Sequence, residues 1–172
     1  RAKFLELVDL FEIFGNQYEF DYLAIAAQAY QESRLDHSAK SSAGAVGIMQ
    51  LLPSTAADAN VGIPDIESLE NNIHAGTKYM AFLRDRYFSD QDMSEENKFA
   101  FTWASYNAGP ARVRQMRARA TEMGLDPNKW FQNVEYAALE IVGLETVRYV
   151  ANIYKYYIAY RLYVDLYYGE EA

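Results

Sequence analysis

The sequence predicts an all-α fold with one small loop or hairpin element. Three observations carry that prediction. Strand-type alternation is nearly absent while apolar residues recur at helical spacing. Half of the 172 residues are hydrophobic and 15% are aromatic, enough for a sizeable core in one domain spanning 1–172. The breaks fall at glycine, proline and asparagine, as helix ends require.

The elements follow in order. A first helix is expected over about Ala2–Phe14, closed by Gly15 and Asn16. A second, from Tyr22 to Arg34 with Asp21 as N-cap, is apolar almost all the way round and reads as a central helix. Residues 38–47 are a small-residue loop with room for a short hairpin. Pro53 opens a short helix over Ser54–Asn60. A long helix covers about Ile66–Phe88, with Ile73, Thr77, Met80 and Leu83 on one face. Ser94 starts another, with Glu95 and Glu96 in its first turn, that ends at Asn107-Ala108-Gly109. Pro110 starts a basic helix to about Met123. A turn at 124–127 follows, then a short helix over Asn128–Tyr136 and a final helix over about Thr146–Tyr168.

Composition removes several function classes. The chain has no cysteine, which excludes disulfides, thiol catalysis and Cys–metal sites. A net charge of -8 argues against nucleic-acid binding. His37 and His74 have no partner at metal-ligand spacing, so no metal site and no cofactor are expected. Arg148, Lys155, Arg161 and Asp165 are too many charges for the last helix to lie in lipid. Its Tyr149, Ile153, Tyr156, Tyr160 and Tyr163 read as a packing stripe with hydroxyls reaching a wet edge. Arg112, Arg114, Arg117 and Arg119 read first as a solvated helix face, and second as a contact for anionic groups of a polymeric substrate. The chain begins at Arg1 without an initiator methionine, which suggests excision from a longer precursor.

The chemistry concentrates around Glu32. It shares a helix face with Ile25, Gln28 and Ala29 and sits near the negative end of the helix dipole. Burial and the dipole both disfavour a carboxylate there, which suits a general acid. The alternative is a helix-end residue paired with Arg34 or Lys40. A glycine loop, Gly47-Ile48-Met49-Gln50, and a Tyr106-Asn107-Ala108-Gly109 turn complete a plausible kit for glycosidic cleavage.

Four blocks in order carry a resemblance: Ala29–Ser33, Ser42–Pro53, Trp103–Gly109 and Glu145–Val150. Together they resemble the catalytic domain of lytic murein transglycosylases of the soluble type, related in fold to goose-type lysozyme. The last block most resembles the membrane-bound transglycosylase F subgroup. Ile48 stands where leucine is commoner and Ser105 where alanine is commoner.

The resemblance implies a lysozyme-like helical fold. It implies cleavage of the β-1,4 bond between N-acetylmuramic acid and N-acetylglucosamine of peptidoglycan strands, leaving a 1,6-anhydromuramic end. Glu32 would act as acid and then as base, with the substrate acetamido group standing in for a second carboxylate. Asp36 is not promoted to nucleophile. The residues expected to bind substrate are Ser33, Met49, Gln50, Tyr106, Asn107, Glu145 and Tyr149.

Five of them have a structural alternative: a helix-end hydroxyl for Ser33, core for Met49, a buried tyrosine for Tyr106, a helix-ending turn for Asn107, a first-turn acid for Glu145. The subgroup also implies a solute-binding-like regulatory domain N-terminal to this one and a periplasmic location. Any membrane attachment, at the outer membrane, would run through segments outside this chain. The rival functions are a muramidase using the same Glu32 and a glycan-binding module without catalysis.

Overall fold

In a computed structural model, residues 1–90 and 92–169 are described. Among them the regular structure is helical, apart from two antiparallel bridges, Lys40 with Val46 and Val46 with Leu51. The predicted all-α fold with a small hairpin element is what forms. The chain makes two compact units: Arg1–Ala81 with the segment from Ile153, and Phe82–Asn152.

In the first unit, α1 spans Ala2–Gln17 and buries Phe4, Leu7, Phe11 and Phe14, spaced three and four apart. It runs past its predicted stop at Gly15. A Cβ at Gly15 would lie 2.7 Å from the Phe20 carbonyl oxygen, which explains glycine there as a point of close approach and not a cap.

Helix α2 spans Tyr22–Ser33. Asp21 caps it by accepting a hydrogen bond from the Leu23 N–H at 2.9 Å, and Leu23 through Ala29 are all buried. It ends where Arg34 turns left-handed, one residue before the predicted end. Helix α3 is shorter than expected, Pro53–Ala57, because Asp58 turns extended and its side chain accepts from the Asn60 N–H at 2.9 Å.

Helix α4 spans Leu69–Tyr87, and Ile73, Thr77, Met80 and Leu83 are buried as their spacing predicts. It starts three residues later than expected. Ser68 accepts from the Asn71 N–H at 3.2 Å, the bond of an N-cap hydroxyl. From the other end of the chain, Tyr157 of α8 (Leu144–Tyr168) donates to Asp21 Oδ2 at 2.6 Å. Asp21 therefore caps one helix and anchors another.

In the second unit, α5 spans Glu95–Ala108 and is capped by Ser94, which accepts from the Asn97 N–H at 3.3 Å. Helix α6 spans Pro110–Glu122. The core stacks Phe88 on Phe101 at 5.4 Å, with Trp130 edge-on to Phe101 at 5.8 Å. Burying each such ring contributes roughly 2–3 kcal/mol relative to exposure.

The predicted helix over Asn128–Tyr136 does not form as one piece. A π-helical turn at Trp130–Val134 holds Phe131 and Gln132 in non-helical backbone, Gln132 at φ 60°, and α7 then spans Glu135–Val142. The arginine run is not simply solvated either. Arg117 lies 5.3 Å from the Phe101 ring centre and donates to Pro127 O and Asn128 Oδ1. Arg119 pairs with Glu140 at 2.7 Å and Glu122 at 3.1 Å.

Candidate active site

Within the first unit, the Glu32-Ser33 pair meets the glycine loop where α2 ends. Glu32 and Ser33 form the last turn of α2, and both are half-buried. The helix is central, as predicted, but Glu32 itself retains solvent access, as a proton donor to a polymer must. The Ser33 hydroxyl lies 2.8 Å from Ile48 O and 3.1 Å from Ala29 O, sharing its one hydrogen between them. That contact fixes the glycine loop against the residue beside Glu32. Arg34 lies over the Tyr30 ring at 4.7 Å, and Lys40 stands 4.0 Å from Glu67.

The loop is held by residues that the sequence reading missed. Asn72 is fully buried on α4. Its Oδ1 accepts from the Met49 N–H at 2.9 Å, while its Nδ2 donates to Val46 O and Ile66 O, both at 2.9 Å. Three bonds from one amide satisfy most of what it can make, which is why a buried asparagine is tolerated. The signal was an Asn beside the apolar face of a helix, a choice that demands partners.

His37 does similar service. Its Nδ1 accepts from the Ile48 N–H at 3.2 Å, so the proton resides on Nε2, which donates to Glu67 O at 2.7 Å. Gly47 adopts φ 81°, and a Cβ there would collide with the Asn72 amide and with His37.

Gln50 is half-buried in left-handed backbone, φ 49°. Its Nε2 donates to Gly47 O at 2.7 Å and Ala39 O at 2.9 Å, so its amide nitrogen is committed to the loop. Met49 is fully buried, and a Cβ on Gly76 would come within 2.8 Å of its side chain. It packs in the core at the base of the loop.

Within the second unit, Tyr106 and Asn107 are half-buried at the end of α5. Gly109, at φ 88°, ends that helix and Pro110 opens the next. Asn107 Oδ1 accepts from the Thr146 hydroxyl at 2.8 Å, tying the turn to the start of α8. Thr146 was not singled out from sequence. Its neighbour Glu145 is exposed in the first turn of α8, while Tyr149, one turn further, is buried at 6% exposure. Asn107, Glu145 and Thr146 line a recess of about 340 Å³ together with Ala108, Arg112 and Val142.

The first unit offers one solvent-accessible carboxyl at a helix end and a loop whose backbone is fixed from beneath; the second offers a polar recess. The comparisons with known proteins bear on family and fold. The Transglycosylase SLT domain family model matches residues 9–129. A protein of Desulfosudis oleivorans named membrane-bound lytic murein transglycosylase F is 38% identical over 161 residues, 86% of this chain and 35% of that protein. The Vibrio cholerae protein of the same name is 34% identical over 152 residues, 81% of this chain and 28% of its own.

The chain thus spans about a third of the length of the curated relatives it matches. Among solved structures, the 70 kDa soluble lytic transglycosylase of Escherichia coli aligns with a TM-score of 0.65 and 29% identity, over 91% of this chain and 24% of that one. An inactive variant of lytic transglycosylase Slt from Pseudomonas aeruginosa aligns with a TM-score of 0.68 at 24% identity, again over 91% of this chain and 24% of that one, a likeness of fold. Matched over most of its length by that family model, the chain belongs to the Transglycosylase SLT domain family.

Proposed function

We propose that this chain is a peptidoglycan lytic transglycosylase domain. It cleaves the β-1,4 bond between N-acetylmuramic acid and N-acetylglucosamine and leaves a 1,6-anhydromuramic end. The observation that supports this best is Glu32, half-buried at the rigid end of a buried helix, next to a serine that clamps the glycine loop. Membership of the family and the names its relatives carry point the same way.

In this reading Glu32 protonates the glycosidic oxygen as the bond to the anomeric carbon breaks. The substrate's acetamido oxygen stabilises that carbon. The Glu32 carboxylate then removes the proton from the C6 hydroxyl as its oxygen closes on the anomeric carbon. The proton given equals the proton taken, no water is consumed, and one carboxyl suffices. Ser33 and Gln50 hold the loop that faces the glycan, and Tyr106, Asn107 and Glu145 bind it. Met49 and Tyr149 support these residues from the core.

The strands of peptidoglycan are the partner, and the periplasm is the place of action. A longer protein would add the solute-binding-like domain before this one and any outer-membrane attachment. The test is mass spectrometry of fragments released from purified peptidoglycan. Products one water lighter than hydrolysed muropeptides support the proposal. Reducing muramic ends make the chain a muramidase, and no fragments with binding retained make it a glycan-binding module.

A further inference from the structure

Among the described residues of the first unit, two amide side chains are fully buried, and they differ in one respect. Asn72 on α4 makes three hydrogen bonds to backbone atoms around the glycine loop. Gln28 on α2 is just as buried, yet neither its Oε1 nor its Nε2 has a hydrogen-bond partner among those residues. Thr77 Oγ1 shares that condition, but there a single hydroxyl accompanies a methyl that fills core space.

A buried amide without partners lowers stability, and packing alone does not select it. The other buried residues of α2 are Leu23, Ala24, Ile25, Ala26, Ala27 and Ala29. An apolar side chain of similar length would fill the space of Gln28 without leaving polar atoms unsatisfied. What distinguishes the position is its relation to Glu32. The two residues are four apart on one helix, which places their Cβ atoms about 5–6 Å from each other. Helical side chains lean toward the N-terminus, so the turn over which Glu32 extends is the turn that carries Gln28.

The chemistry gives that relation a use. In the free protein the half-buried Glu32 is open to water. A glycan strand laid over it drives water off, and a group that is acid first and base later needs a substitute partner in both states. An amide can serve both: its oxygen accepts from the neutral acid, and its N–H donates to the carboxylate. Ser33 and Asn72 are not available for this, since their donors are committed to the loop and the α2 backbone.

We propose that Gln28 is a positioning residue for Glu32: a buried dipole, unpartnered in the free protein, that bonds the Glu32 carboxyl when glycan displaces water from it. This rests on the proposed function.

The test is Gln28→Met, with Gln28→Leu as a second apolar replacement. Each is measured for melting temperature and for the rate of fragment release from purified peptidoglycan. Both variants are expected to melt at or above the temperature of the unsubstituted protein, because an unpartnered amide has left the core. Both are expected to lose about tenfold in maximal rate with half-saturation unchanged, because the amide acts on the acid and not on the glycan. A bond to a carboxylate is about twice as strong as one to the neutral acid, so its loss favours the neutral form. The alkaline limb of the maximal-rate profile, where Glu32 loses its proton, therefore moves up by about one pH unit. Arg34, Asp36, His37, Lys40 and Glu67 near this helix end have partners of their own that neither variant touches, so the shift reports Glu32.

An unchanged maximal rate would overturn the proposal. So would a rate and a melting temperature that fall together with the pH profile unmoved, the pattern of a packing residue. Fragments released equally fast by Gln28→Met and the unsubstituted protein refute only the role of Gln28. No fragments from the unsubstituted protein refute the proposed function, and the role of Gln28 with it.

Discussion

The Ser33 hydroxyl reaches the carbonyl oxygen of Ile48 at 2.8 Å, so the residue next to Glu32 is bonded to the glycine loop fifteen positions on. Replacing Ser33 by alanine removes this contact and leaves a part-buried carbonyl without its donor. The expected cost is about 1 kcal/mol of stability. A larger effect is expected on turnover, about tenfold, because a loop released from the acid is no longer held in register. Thermal melts and initial rates on the same preparation measure both. A stability loss with unchanged rate would make Ser33 a helix-end hydroxyl and nothing more.

Gly47 and Asn72 form the second hold on that loop. A methyl at Gly47 would drive into the Asn72 side chain, and the backbone there is left-handed at φ 81°. Gly47→Ala should therefore destabilise by about 2–4 kcal/mol, combining backbone strain with loss of the amide's bonds. Asn72→Ala should destabilise comparably and should not add fully to it, since both disturb one network. Urea titrations of the two single variants and the double variant check the sum.

Tyr157 and Asp21 make a prediction for the first unit. The Tyr157 hydroxyl donates to Asp21 Oδ2 at 2.6 Å, and burial, followed by that bond, pushes the phenol well above its ordinary range. Tyr157→Phe should cost about 1.5–3 kcal/mol, the range for a hydrogen bond to a charged group. Asp21→Ala should cost more, because the N-cap to Leu23 goes with it. Denaturant midpoints rank the pair, and the reverse order would be inconsistent with the double role of Asp21.

His74 gives the chain a pH-dependent stability. It stacks on Phe14 at 4.5 Å and its Nε2 lies 2.6 Å from the Tyr18 hydroxyl. Burial lowers its affinity for a proton, the nearby positive Lys78 adds to that, and Glu70 opposes them. An unfolded histidine titrates near 6.5. Below that value the unfolded chain binds a proton that the folded chain resists. Stability is therefore fully present above about 6.5 and declines as the pH falls from there through the lower folded value. Melting temperatures from about pH 7 to about pH 5 should fall less steeply in His74→Phe than in the unsubstituted protein. Parallel curves would show that His74 contributes nothing to the slope.

The helices and the small hairpin were legible in the sequence because their signals are local: periodic apolar faces, Asp21 and Ser94 as caps, Pro53 and Pro110 at first turns. The boundaries that moved were set by tertiary packing. Gly15 serves close approach to Phe20 and not a stop, and Gln132 breaks what looked like a continuous helix. Among the candidate residues, the motif blocks singled out Glu32, Ser33, Gln50 and Asn107 by local pattern alone. They could not locate Asn72 or His37, whose work is defined by loop atoms that reach them only in the folded chain. Burial of Met49 was equally invisible, since a thioether in a glycine loop fits a cleft wall or a core alike.

The central claim is that Glu32 carries the proton. The most direct measurement compares Glu32→Gln with the unsubstituted protein for cleavage and for binding of the same purified peptidoglycan. The account predicts a cleavage rate reduced about a thousandfold or more, with binding and melting temperature nearly unchanged. Cleavage at the original rate in Glu32→Gln would contradict it.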